Sequence, residues 1–247
     1  MRNIRLTIQY DGTNYLGWQR QASTADTIQN IIEKTLGKIL QEKVRITSAG
    51  RTDTGVHAAA QVANFKTSNP ITLRKLQYGL NALLPDDIRV VSAASAEPDF
   101  HSRFSAREKT YQYTILNRPH SDVFCRNHVY HYSIAKLDVA RMRLAASFLT
   151  GRHDFTSFKT TGVKRNRSNV RTLRRISISQ KGSLIIIRLT GEGFLYKMCR
   201  GIVGTLIEIG RGRLAVNSVS SILGSRNRIN AGPTAPARGL CLLKVRY

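Results

Sequence analysis

The chain has 247 residues, 41% of them apolar, which is enough for one or two globular domains with a substantial core. Its 39 lysines and arginines against 15 acidic residues give a formal net charge of +24, which indicates a polyanionic partner or else a source proteome that is basic throughout. The amino terminus lacks the apolar run of a signal peptide and no segment approaches transmembrane length, so we expect a cytoplasmic protein with no membrane partner.

The first hundred residues have the periodicities of alternating strands and helices. Apolar residues at every second position predict strands, and apolar residues at three-to-four spacing predict helices, the first capped by Thr24 or Asp26 and the second ended by Pro85. The predicted strands cover 2–10, 44–47, 60–65 and 88–94, and the predicted helices cover 28–40 and 73–83. This β-α-β-β-α-β order is the ferredoxin-like pattern, an antiparallel sheet with both helices on one face.

Residues 98–106, P-D-F-H-S-R-F-S-A, interrupt the periodicity and predict a crossover to a second domain. The crossover region carries His101, Arg103 and Arg107, which suit RNA contacts as well as a connecting role. We therefore divide the chain into domains 1–104 and 105–247. In the second domain we predict strands at 108–117 and 177–189, with a hairpin turn at Lys181-Gly182, and helices at 137–149, 194–209 and 215–223. An α+β fold follows.

The stretch 48–65, S-A-G-R-T-D-T-G-V-H-A-A-A-Q-V-A-N-F, places Asp53 on a loop between two predicted strands. Gly50 and Gly55 bracket the loop and suit a turn that presents one side chain to a ligand. Arg51, close to Asp53, would keep the carboxylate ionised, as a nucleophile requires. Two other interpretations stand beside this one: an ordinary Asx-type turn, and the D-T-G of an aspartic protease. The protease fits poorly, because Arg51 and Thr52 replace the usual apolar run and no second D-T-G exists.

Ten contiguous residues, A-G-R-T-D-T-G-V-H-A at 49–58, closely resemble the catalytic loop of the bacterial TruA family of tRNA pseudouridine synthases. The resemblance implies that Asp53 is the nucleophile that attacks the target uridine. It also implies that Arg51 helps to displace the target base from its stack.

Further matches to the same family run along the chain. Residues 10–21 resemble its opening signature, within which Trp18 is predicted to pack in the core rather than to stack on a base. The strand K-T-Y-Q-Y resembles its K-x-Y-x-Y motif and implies that Tyr111 packs against the target base, although composition alone favours a cross-strand packing role. Residues 194–204 resemble F-x-x-x-M-x-R-x-I-x-G and imply that Arg200 forms an ion pair beside the catalytic aspartate. The segments 151–158 and 235–247 match as well, and Lys197 departs from the histidine common in relatives.

The resemblance implies isomerisation of uridine to pseudouridine at positions 38, 39 and 40 in the anticodon arm of tRNA. It also implies two ferredoxin-like, RRM-like domains with an active-site cleft between them, the second completing the RNA-binding surface, and a homodimer. Tyr111 would hold the base plane and serve a proton transfer, while attack of Asp53 on ribose or base is left open. The reaction needs no metal, nucleotide or redox cofactor, in keeping with the lack of a P-loop motif.

Metal binding is not expected from the remaining cysteines and histidines. Cys125, Cys199 and Cys241 are too far apart for C-x-x-C spacing and odd in number, and His128 and His131 stand in a sequence typical of a strand or loop edge.

Residues 164–175, K-R-N-R-S-N-V-R-T-L-R-R, contain six basic residues and no acidic one, and suit phosphate and ribose contacts better than a solvated strand face. A catalytically silent RNA-binding factor therefore remains an alternative to the synthase. It would explain the charge, but it needs no aspartate between an arginine and a glycine.

Overall fold

The computed structural model describes residues 1–22, 24, 26–160 and 168–247. The strands are β1 (Arg2–Tyr10), β2 (Thr47–Ser48), β3 (His57–Thr67), β4 (Ile88–Ala96), β5 (Glu108–Leu116), β6 (Tyr130–His131), β7 (Gly151–Asp154), β8 (Val170–Lys181), β9 (Leu184–Gly191) and β10 (Leu240–Arg246). The helices are α1 (Ile28–Leu40), α2 (Leu73–Leu83), α3 (Val139–Ser147), α4 (Met198–Gly210) and α5 (Ser218–Ser225). The predicted α+β class and the β-α-β-β-α-β order of the first hundred residues are confirmed.

Two compact units make up the chain: residues 1–107 together with 241–247, and residues 108–240. The sequence-based division at 104/105 differs from this in two respects: the boundary lies three residues later, and the last seven residues return to the first unit. The physical reason for the second difference is backbone pairing, since Cys241 and Leu242 of β10 lie parallel to His57 and Ala58 of β3. Such a pairing over a long sequence separation leaves no local signal in the periodicity.

The first unit is a sheet in the order β4-β1-β3, with β2 and β10 pairing with different parts of β3. β1 is antiparallel to both of its neighbours, so that Ile4 lies opposite Phe65 of β3 and Ser95 of β4. The alternation predicted for β1 is confirmed, because Ile4, Leu6 and Ile8 are fully buried. Burying each of these side chains stabilises the unit by about 2 kcal/mol.

Two local predictions in this unit differ from the structure. Helix α1 is capped by Thr27, whose side chain accepts from the Asn30 N–H, whereas Thr24 accepts from the Asp26 N–H outside the helix.

In place of the strand predicted at 44–47, the structure has the two-residue strand Thr47–Ser48, because side chains of α1 rather than a partner strand bind the backbone at Ile46. The Ile46 N–H donates to Glu33 Oε1 at 3.1 Å, and Gln29 Nε2 donates to the Ile46 carbonyl at 3.2 Å.

The second unit is an antiparallel sheet in the order β5-β9-β8-β7, with β6 pairing parallel to β5. The predicted hairpin is confirmed, and its turn contains Gly182 at φ +58°. Helix α4 begins at Met198 rather than at the predicted residue 194, because Lys197 adopts the left-handed backbone conformation, φ 58° and ψ 10°. Among the described residues, no helix combines the length and apolar character needed to cross a lipid bilayer.

Candidate active site

The loop that carries Asp53 connects β2 to β3 in the first unit. Asp53 is half-buried and its carbonyl accepts from the Val56 N–H at 3.1 Å, which closes a turn at Gly55 (φ +75°). Arg51 lies two residues earlier with an exposed side chain. Asp53 and Arg51 therefore lie on one loop, and Asp53 is the more buried of the two residues.

A second loop, residues 11–17, holds the Asp53 loop from one side. The Trp18 N–H donates to the Thr52 carbonyl at 3.1 Å, and the Gly55 N–H donates to the Tyr15 carbonyl at 3.4 Å. The hydroxyls of Tyr10 and Thr52 lie 2.8 Å apart, both buried. Burial raises the pKa of the Tyr10 phenol, so Tyr10 stays neutral and its hydroxyl persists as a hydrogen-bonding group. The residue next to Asp53 is thus fixed through both its backbone and its side chain.

Two glycines allow this close approach of the loops. Gly17 has φ +86°, and a Cβ atom there would lie 2.7 Å from the Thr52 carbonyl oxygen. A Cβ atom on Gly12 would lie 2.1 Å from the Val56 carbonyl oxygen. Neither position has room for a side chain, so the turn-rich opening segment is a backbone-to-backbone support for the Asp53 loop. The two glycines are the only signal of this role in the sequence. No local pattern indicates which segment lies against them in space.

Strand β3 holds the other side of the loop. Gln61 is fully buried and its Nε2 donates to the Gly50 carbonyl at 2.8 Å. The Ala49 N–H donates to the Val62 carbonyl at 2.8 Å. Sequence analysis did not identify Tyr10 or Gln61 as supports, because each is an ordinary strand residue in the linear pattern.

His57 follows the loop and is buried. Its Nδ1 lies 3.0 Å from the Gly12 N–H nitrogen and 3.0 Å from Asp11 Oδ1. A neutral Nδ1 accepts from Gly12, whereas a protonated Nδ1 donates to Asp11, and one nitrogen cannot do both at once. His57 is therefore a link between the Asp53 loop and the opening loop, in addition to its place in the motif.

Tyr111 and Arg200 belong to the second unit. Tyr111 lies on β5 with 7% of its surface exposed, and its ring packs edge-on against Phe194 with the centroids 5.1 Å apart. Two residues along, Tyr113 is fully buried and its hydroxyl donates to the Pro236 carbonyl at 2.8 Å. The strand thus turns two aromatic rings to the same face of the sheet.

Arg200 lies in the first turn of α4 and is half-buried. Its Nε donates to the Ala235 carbonyl at 2.7 Å, and the Ala235 N–H donates back to the Arg200 carbonyl at 3.1 Å. This reciprocal pair fixes the plane of the guanidinium. The segment before β10 therefore orients the arginine that the family motif singles out.

Two glycines of α4 lie against the backbone of other segments of the second unit. A Cβ atom on Gly204 would lie 1.6 Å from the Pro233 carbonyl oxygen, and one on Gly201 would lie 2.4 Å from the Phe158 carbonyl oxygen. Glycine weakens a helix, as the sequence indicated, unless something packs closely against it. Here two backbone segments do so, at Phe158 and at Pro233.

Part of the predicted basic cluster, residues 164–167, lies outside the described residues. Within the described part, Arg174 forms an exposed ion pair with Glu192 at 3.1 Å, and Arg171 Nη1 donates to the Ser168 carbonyl at 2.8 Å.

Trp18 is buried against Tyr10, as predicted, with ring centroids 6.0 Å apart. His131 Nε2 lies 2.8 Å from the Arg118 carbonyl oxygen.

Comparison with known proteins identifies one family. The sequence profile of the family described as tRNA pseudouridine synthase matches residues 6–105 and 145–247. Proteins named tRNA pseudouridine synthase A from Clostridium acetobutylicum and a Thermoanaerobacter species are 47% and 46% identical to the chain over 247 residues. A Clostridium perfringens protein named tRNA pseudouridine synthase A 2 is 44% identical over the same length. Each alignment covers 100% of this chain and 100% of the relative.

Proposed function

Because the chain belongs to the tRNA pseudouridine synthase family, we propose that it isomerises uridine to pseudouridine in tRNA with Asp53 as the nucleophile. The observation that carries the proposal is the Asp53 loop. A half-buried carboxylate stands in a turn that is clamped through Thr52 on one side and Gly50 on the other. Such rigidity suits a group that must meet one reacting atom in a fixed geometry.

The reaction breaks the bond from ribose C1′ to uracil N1 and forms a bond from C1′ to uracil C5. The hydrogen on C5 is released, and N1 takes up a proton. Asp53 supplies the electron pair for the covalent step, to the ribose or to the base, and receives it back when the step reverses. The carboxylate must be ionised to do this, so a nearby cation favours the reactive form.

Arg200, Tyr111 and Arg51 take the remaining roles. The ion pair that the family resemblance assigns to Arg200 requires an oriented guanidinium, and the hydrogen bond from Nε to the Ala235 carbonyl supports this role. Tyr111 has the burial and the aromatic neighbour of a residue that packs against a base plane. The exposed Arg51 suits displacement of the target base, which takes a few kcal/mol of unstacking.

We extend the proposal to the substrate positions and the assembly. The family resemblance points to uridines 38, 39 and 40 of the anticodon arm and to a homodimer. Mapping pseudouridine in tRNA treated with the protein, and measuring its mass in solution, tests these two points separately.

The central test is Asp53→Asn, which keeps the size of the side chain while removing its charge and nucleophilicity. We expect the variant to fold, to bind tRNA at least as tightly as the parent, and to release no hydrogen from C5 of uridine. Thr54→Ala, on the same turn, is the matched control and keeps turnover within about threefold of the parent. Residual turnover of Asp53→Asn within about tenfold of the parent, or about 1.4 kcal/mol of barrier, is incompatible with a nucleophilic Asp53.

A further inference from the structure

The turn from His101 to Phe104 in the first unit presents an aromatic ring to solvent. Phe104 is 72% exposed, and the His101 ring lies against it with centroids 4.3 Å apart and an interplanar angle of 32°. The Arg103 guanidinium carbon lies 5.6 Å from the Phe104 ring centroid. Single exposed apolar side chains are common, but here an imidazole and a guanidinium are assembled around one.

Hydrogen bonds within the turn set the position of the rings. His101 Nδ1 accepts from the N–H groups of Arg103 and Phe104 at 3.1 and 3.3 Å. The His101 N–H donates to Ser105 Oγ at 3.1 Å, and the Ser105 N–H donates to the His101 carbonyl at 2.9 Å. With Nδ1 accepting, the proton of the neutral ring is on Nε2.

A buried polar network anchors the turn to the sheet. Ser102 is fully buried, and its N–H and hydroxyl donate to Asn64 Oδ1 at 2.9 and 2.8 Å. Asn64 Nδ2 in turn donates to Asn3 Oδ1 at 3.0 Å, which connects the turn to β3 and β1. The Tyr247 hydroxyl donates to the Ser102 carbonyl at 2.9 Å. Buried networks of this kind hold one conformation, so the exposed Phe104 ring and the half-buried His101 ring beside it are preorganised.

We propose that the His101–Phe104 turn is a stacking platform for an unpaired base of the RNA substrate, at a nucleotide other than the one that reacts. The partner class follows from the chemistry: a flat apolar ring takes a base, while the exposed Arg103 and Arg107 take its phosphates. A net charge of +24 favours a nucleic acid over an apolar protein segment. The ring is too open to water to shelter a covalent step, so its contribution is to binding.

The inference rests on the proposed function only for the identity of the RNA, and its test is independent of turnover. Stacking of one base on an aromatic side chain supports an increase in Kd of roughly tenfold or more when the ring is removed. We expect Phe104→Ala to raise the Kd for unmodified tRNA by this amount in filter binding, and Phe104→Trp to restore it. The matched control is Tyr78→Ala: Tyr78 is 64% exposed, carries the Arg74 guanidinium 5.5 Å from its centroid, and belongs to the same unit. It lacks the anchored turn and is expected to keep the parental Kd.

Phe104→Trp also gives a direct signal, because the native Trp18 is buried and is the only tryptophan of the parent. We expect tRNA to quench the fluorescence of the new indole and to leave the parent nearly unchanged. Parental affinity of Phe104→Ala, an equal loss in Tyr78→Ala, an unquenched Trp variant, or a change in oligomeric state with Phe104→Ala would each overturn the platform. An inactive parent that still binds tRNA, together with a Phe104→Trp variant whose fluorescence tRNA quenches, would instead count against the proposed reaction alone.

Discussion

The Tyr10 hydroxyl lies 2.8 Å from the hydroxyl of Thr52, the residue that precedes the proposed nucleophile Asp53. Tyr10→Phe leaves the buried Thr52 hydroxyl without this partner, which costs about 1–3 kcal/mol of folding free energy. Because the displaced loop carries Asp53, we also expect kcat to fall roughly 10- to 100-fold while KM changes little. Urea unfolding and C5-hydrogen release measure the two effects.

Tyr15→Phe is the matched control for this prediction. It also removes a phenol hydroxyl from the same stretch of chain, but that hydroxyl donates to Asp87, which is outside the Asp53 loop. If kcat falls as much in Tyr15→Phe as in Tyr10→Phe, the loss comes from destabilisation of the whole unit and not from displacement of the Asp53 loop.

Gly17 allows a second test at the scale of one residue. Gly17→Ala combines a left-handed backbone at φ +86° with a Cβ atom 2.7 Å from the Thr52 carbonyl oxygen. We expect a loss of stability well above the roughly 1–2 kcal/mol of a strained φ alone, together with loss of turnover.

The hairpin glycine Gly182 separates the two causes of that loss. It has φ +58° and no atom within 4 Å of the added Cβ, so Gly182→Ala reports backbone strain alone. Thermal unfolding of both variants gives the difference. Equal destabilisation, with turnover retained in both, would refute the steric support of the Asp53 loop by residue 17.

Among the elements, α4 packs against the segment before β10, which contains Pro233 and Ala235. Gly204→Ala places a methyl group 1.6 Å from the Pro233 carbonyl oxygen, so the segment must move away from the helix. We expect a destabilisation of about 3 kcal/mol or more, and lower turnover because the Ala235 carbonyl no longer orients Arg200.

Gly224→Ala on α5 provides the control for this change. A Cβ atom there meets nothing within 4 Å, so the better helix propensity of alanine is expected to stabilise the protein by up to about 1 kcal/mol. Chemical denaturation gives the free energy of unfolding of both variants. A Gly204→Ala protein as stable and active as the parent would contradict the prediction.

The elements also show what the sequence can predict. Strand β1 and helix α2 were predicted closely because their apolar periodicity coincides with burial. The strand predicted at 44–47 is found only at Thr47–Ser48, because the side chains of Glu33 and Gln29 hydrogen-bond the backbone of Ile46. Helix α4 begins four residues later than predicted, because Lys197 adopts the left-handed backbone conformation. These causes are contacts distant in sequence or a single backbone torsion, which periodicity does not encode.

The candidate site divides in the same way. Asp53, Arg51, Tyr111 and Arg200 could be named because their motifs are contiguous in sequence. The supports Tyr10, Gly17 and Gln61 could not, because their roles depend on which loop lies against them in space. The roles proposed for the four motif residues stay predictions until their variants are measured.

At the scale of the whole molecule, the charge of +24 governs affinity. Each phosphate neutralised is expected to add about 0.7–0.9 to the downward slope of log K against log salt concentration. Filter binding of tRNA from low to moderate salt should therefore show a steep linear decline, shared by the parent and Asp53→Asn. A tRNA affinity that is nearly flat with salt would contradict phosphate-driven binding.

The parallel pairing of β10 with β3 has a consequence for synthesis of the chain. Residues 57–58 leave the ribosome early, whereas their partners at 241–242 follow only after the whole second unit. At about 5–20 residues per second, translation of the intervening chain takes roughly 10–40 s. During that time the beginning of β3, directly after the Asp53 loop, is an unpaired sheet edge, the kind of surface that associates wrongly with other chains. The nascent protein therefore passes through a stage in which the loop that carries Asp53 adjoins an unpaired strand edge.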